Sequence, residues 1–140
     1  MSRSNQPASS GPTPSPAATH LQVRKAIISD VVSVVVFVLL AAMAHSLTLG
    51  TIGLLLACFL PALALAWLAT RAWKTNPAAI KPVGLGIWAA TTTVGLAILA
   101  IVKQQRSDPI MMTITAVVLA LFLVGWRALA TAMEKQQRPR

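Results

Sequence analysis

Residues 26–47 read AIISDVVSVVVFVLLAAMAHSL, an apolar run of 22 residues interrupted by a single acidic side chain, Asp30. The hydrocarbon core of a bilayer is about 30 Å thick and a helix rises about 1.5 Å per residue, so a span needs about 20 residues of this kind. Residues 26–47 meet that length. So do residues 51–72, 82–102 and 110–132. Only helices or closed barrels satisfy every backbone polar group inside lipid, and runs this long and continuously apolar are helical. The predicted fold class is therefore all-α: an integral membrane bundle of four transmembrane helices, forming one domain over residues 25–133.

The composition points the same way. Of the 140 residues, 56% are hydrophobic and 11% are charged, whereas soluble domains carry about 25% charged residues. Residues 1–24 are rich in Ser, Pro, Ala and Thr, and none of residues 2–20 is an aliphatic larger than Ala. Such a segment buries too little apolar area to offset the entropy of ordering it, so a disordered tail is expected there. Residues 134–140 form a short polar tail at the other end. Arg24 and Lys25, the apolar run and Ala42-Met43-Ala44 also fit a cleavable secretory signal. The apolar stretch before Ala42 is at or beyond the usual limit of about 15 residues, and Asp30 interrupts its start. An uncleaved anchor is expected, with cleavage after Ala44 as the alternative.

A net charge of +9 raises the question of nucleic acid, because a basic patch is the footprint of phosphate binding. The placement of the charges argues against that partner. Lys and Arg are scattered over the segment ends, and all four Trp lie within or at the ends of apolar segments, as in a membrane-interface protein. Cys58 is the lone cysteine and sits in an apolar run, where a thiol behaves as a small hydrophobe. No Ser/His or Cys/His pair, second intramembrane acid or metal-ligand spacing can be assembled. Neither enzymatic activity nor a cofactor or metal is expected.

Within the spans a few residues stand out. Pro61, in the middle of the second, removes one backbone hydrogen bond and predicts a kink. In the third, Gly84, Trp88, Thr91 and Gly95 follow one another at spacings of four, three and four. They form one face on which helices can approach closely, either within the bundle or between copies. Pro109 suits the first turn of the fourth helix, with Asp108 as its cap.

Ten Lys and Arg lie at the N-terminal, second-loop and C-terminal positions, against two in the third loop and none in the first. Positive residues are retained on the cytoplasmic side, which predicts both termini inside. With that topology Asp30 and Arg127 sit at similar depth, each about five residues from the cytoplasmic end of its span. An ionisable group in a span is costly and usually finds a partner, so an Asp30–Arg127 ion pair is expected, with Arg71 as the alternate partner. His45 lies fifteen residues from Asp30, about 22 Å along the helix, too far to share its proton.

Asp30 to His45, Leu60-Pro61, Trp88, Val94-Gly95 and the run Ala120 to Arg127, ALFLVGWR, together give the chain a family likeness. It resembles the bacterial membrane family called domain of unknown function 3054, over about residues 26–130. Its third helix ends in Leu96 to Ala100 and a Lys/Gln/Arg loop, where that family often has an arginine and a glycine-rich loop. The resemblance implies a small four-span bacterial inner-membrane protein and carries no activity. The residues leave two functions open. One is a non-enzymatic structural or accessory subunit acting through helix–helix contacts, in the bilayer, with another membrane protein or a second copy. The other is an oligomeric proton- or cation-coupled transporter with Asp30 in its pathway.

Overall fold

The computed structural model describes residues 16–77, 79–104 and 108–137. It contains four long helices: α1 (Pro16–His45), α2 (Leu49–Thr70), α3 (Leu85–Lys103) and α4 (Pro109–Gln137). All four are long and apolar enough to cross a membrane. Each helix packs against the next, and α4 closes on α1, so the bundle is an up-down-up-down ring in which α1 begins and α4 ends at the same end. That end also carries the α2–α3 connection. The opposite end carries the α1–α2 turn at residues 46–48 and the α3–α4 connection.

The run VVSVVVFV in α1 consists largely of β-branched residues, which favour strands in water. In lipid the backbone must satisfy its own hydrogen bonds, and the helical ladder does so without a partner segment. Helix ends are set by local chemistry. Thr48 caps α2, its hydroxyl accepting the Thr51 N–H at 3.1 Å, and the Asp108 carboxylate accepts the Ile110 N–H at the start of α4. Arg71 and Gln104 end α2 and α3 in the left-handed conformation, at φ of 48° and 51°. That turn redirects the chain at each boundary.

Two boundaries differ from expectation. The N-terminal tail was expected through residue 24, but α1 already begins at Pro16. Pro is preorganised for a first helical position, and extending a formed helix gains one hydrogen bond per residue fixed, so a segment that could not fold alone can continue a stable span. By the same reasoning α4 runs on to Gln137, into the expected polar tail. Residues 1–15 and 138–140 of those two tails lie outside the described residues. The third span is entered through an irregular turn at Ile80–Gly84, where Lys81 is extended and the Lys81–Pro82 peptide bond is cis.

The core is a column of side chains from all four helices, including Val34, Phe37, Phe59, Ile87, Leu119 and Leu123. Phe37 and Phe59 meet edge to face with ring centroids 5.2 Å apart, the arrangement favoured by the aromatic quadrupole. Leu39, Leu40, Leu65, Leu68, Ile101 and Leu121 are exposed. In water that belt would be a liability; against acyl chains it is the expected outer surface of a membrane bundle. Pro61 faces outward, and α2 is helical through it.

Candidate functional site

Two charged side chains are fully buried among the described residues, Asp30 on α1 and Arg127 on α4. They meet as a bidentate pair. The Asp30 Oδ1 atom accepts from Arg127 Nη1 at 2.7 Å and its Oδ2 from Nη2 at 2.8 Å. Two indoles complete the carboxylate's shell: Trp126 Nε1 donates to Oδ1 at 2.7 Å, and Trp67 Nε1 donates to Oδ2 at 2.9 Å. Each oxygen thus accepts one charged and one neutral donor.

The guanidinium is held as firmly from the other side. Its Nε donates to the Pro77 carbonyl at 3.1 Å and its Nη1 to the Leu123 carbonyl at 2.6 Å. The Trp126 ring lies under it, with Arg127 Cζ 4.5 Å from the ring centroid, a cation–π distance. The cluster therefore ties α1, α2, α4 and the α2–α3 connection together at one end of the bundle. Charge-assisted, bidentate bonds are the strong kind, and they offset the heavy cost of removing both charges from water.

Gly84 explains how an arginine fits there. A Cβ on Gly84 would stand 2.8 Å from Arg127 Cδ and 3.0 Å from the Ala79 carbonyl, so the arginine stem passes over a backbone with no side chain. Gly95 plays a different part, since its Cβ would lie 2.5 Å from the Phe59 ring. Trp88 donates its Nε1–H to the Ala116 carbonyl of α4 at 2.8 Å. The expected packing face on α3 is therefore divided between α2 and α4 inside one bundle. Thr91, on the same face, is fully buried, and its hydroxyl and that of neighbouring Thr92 have no hydrogen-bond partner among the described residues.

Arg71, the alternate partner, is exposed and caps α2; Asp30's bonds go to Arg127, Trp67 and Trp126 instead. Being beyond the last helical turn, Arg71 leaves the span where Arg127 stays within one. Sequence spacing does not reveal the roles of Trp67, Trp126 and the Pro77 carbonyl. A signal existed for the indoles: a buried carboxylate needs several donors, and Trp is a donor that apolar spans tolerate. Ser33 adds a contact that no sequence pattern marks. Its hydroxyl donates to the Ser29 carbonyl at 2.8 Å and reaches the Phe122 carbonyl of α4 at 3.4 Å. Among the described residues no three His, Cys, Asp or Glu side chains are grouped to hold a metal ion.

A family model described as a protein of unknown function, DUF3054, matches residues 27–130. Those residues include Asp30, Trp67, Pro77, Gly84, Trp126 and Arg127. Neither a curated protein nor a solved structure shows significant similarity to the chain.

Proposed function

Since the chain belongs to the DUF3054 family, for which no activity is assigned, we propose from its geometry that it is a non-enzymatic membrane subunit acting through helix–helix contacts. One observation carries this reading: both oxygens of Asp30 are occupied, by a guanidinium and two indoles. A carboxylate that relays protons or cations has to exchange partners with water or an ion. One bonded on both oxygens to side chains of two other helices serves as a fastener. The residue most suited to a transport pathway is thus committed to holding three helices together.

The proposal places the protein in the bacterial inner membrane with both termini cytoplasmic. The bias of ten Lys and Arg against two supports that orientation. A partner would be another membrane protein or a second copy, engaged through the exposed apolar faces of the bundle.

The test is purification from native membranes in a mild detergent, with identification of co-purifying protein, alongside proton-flux measurements on the protein in liposomes. A stoichiometric membrane partner and no flux above empty liposomes are expected. Flux in the unaltered protein that Asp30→Asn abolishes would overturn the proposal in favour of an oligomeric transporter.

A further inference from the structure

At the end of the bundle opposite the ion pair, the four helices part around a cavity of about 650 Å³. Binding sites for small molecules are commonly about 300–1,000 Å³, mostly apolar, with a few polar groups that fix orientation. This cavity has that division along its depth. Phe37 and Phe59 line its deep end, and His45, Thr48, Lys103 and Asp108 line its rim. From His45 to Phe37 is eight residues of α1, about 12 Å at the helical rise. The walls between are mostly aliphatic, with Thr115 of α4 as a polar exception, and include the small side chains of Ala41 on α1 and Ala100 on α3.

The rim charges indicate what the head of a ligand would be. Asp108 already uses its carboxylate to cap α4, accepting the Ile110 N–H at 3.0 Å. Lys103 has no acidic group at ion-pair distance among the described residues, where the one salt bridge is the distant Asp30–Arg127 pair. It stands in the last turn of α3, where a cation is favoured by the helix dipole, and its ammonium is available to an anion at the cavity mouth. An apolar shaft closed by aromatic rings, beneath a rim where the Lys103 ammonium is unpaired among the described residues and the Asp108 carboxylate is engaged by the Ile110 N–H, matches an amphiphile with an alkyl chain and an anionic head.

We propose that this cavity binds a long-chain carboxylate, its alkyl chain directed toward the Phe37–Phe59 pair and its head group at Lys103. The site is separate from the Asp30–Arg127 fastener and does not depend on the accessory role. Its failure would leave that role untouched.

The test uses the full chain in phosphatidylcholine nanodiscs, with dansyl-labelled undecanoate as probe and dodecanoate or dodecanol as competitor. Saturable binding is expected, displaced at least tenfold more effectively by dodecanoate than by dodecanol. Lys103→Gln, at an exposed position, should weaken dodecanoate about threefold to tenfold and leave dodecanol unchanged. Ala41→Trp should fill the shaft and reduce probe binding at least tenfold; if that variant does not fold, Ala100→Phe on the facing wall replaces it. Non-saturable uptake, equal displacement by the two competitors, or indifference to Lys103→Gln would overturn the proposal. Loss of probe binding when phosphatidylglycerol replaces part of the phosphatidylcholine would reassign the site to a membrane lipid and equally overturn it.

Discussion

At the residue scale the molecule depends on one carboxylate and the groups that neutralise it. Removing one member of a buried charge pair typically costs about 3–5 kcal/mol, because the other is left uncompensated. Asp30→Ala or Arg127→Ala is therefore expected to lower both membrane level and thermal stability in detergent sharply. Asp30→Ala combined with Arg127→Ala should recover part of the loss, read as a positive coupling in a double-mutant cycle. Recovery is expected to be partial because the two indole N–H groups and the Pro77 and Leu123 carbonyls lose their partner as well. Two independent, additive losses would show that the contact contributes nothing to stability. Trp67→Phe keeps the ring and removes one donor from Asp30, with an expected cost of about 1–3 kcal/mol, the scale of one unsatisfied buried group. Thr91→Val should move in the opposite direction. Its hydroxyl is buried without a partner among the described residues, so replacing it with a methyl is expected to leave thermal stability unchanged or raise it. A clear fall in melting temperature would mean that a bound water or partner uses that hydroxyl.

At the element scale, α3 distinguishes close packing from the mere presence of glycine. Helices in lipid have no hydrophobic force drawing them together, so close approach and interhelical hydrogen bonds do that work. Gly95 lets α3 come down on the Phe59 ring, whereas a Cβ added at Gly125 of α4 meets nothing within 4 Å. Gly95→Ala is expected to destabilise by about 1–3 kcal/mol, the range for an overpacked core, and Phe59→Leu should relieve part of that. Gly125→Ala should be neutral or slightly stabilising, since Ala is the better helix former. Comparing the melting temperatures of the two alanine variants checks both statements. The glycine spacing legible in the sequence identified the α3 face but not its partners: periodicity assigns residues to a side of a helix, and only the packed bundle decides which neighbour lies there. Helix ends show the same limit. The composition of residues 1–24 predicts a tail, yet α1 extends back to Pro16 because the span beyond it supplies a nucleus already formed.

For the whole molecule, the four helices form a closed ring in which α1 begins and α4 ends at the end that carries the Asp30 cluster. The inside-positive bias leads to the expectation that a reporter fused after Arg140 is active only on the cytoplasmic side, and a reporter placed in the α1–α2 turn only on the opposite side. The reverse pattern would invert the proposed topology while leaving the fold intact. Four spans, their hairpin order and the chemistry of the two buried charges were determined by the sequence alone, for a simple physical reason. Span length is matched to bilayer thickness, and an acid and a base inside apolar runs stand out against everything around them. What only the tertiary structure decided is which groups complete the pair, and which glycines are needed. Trp67 stands 37 positions from Asp30 and Trp126 stands 96. Nothing in the spacing of residues within one helix encodes a meeting between three of them, because that meeting depends on how each helix is rotated and how deeply it is set against its neighbours.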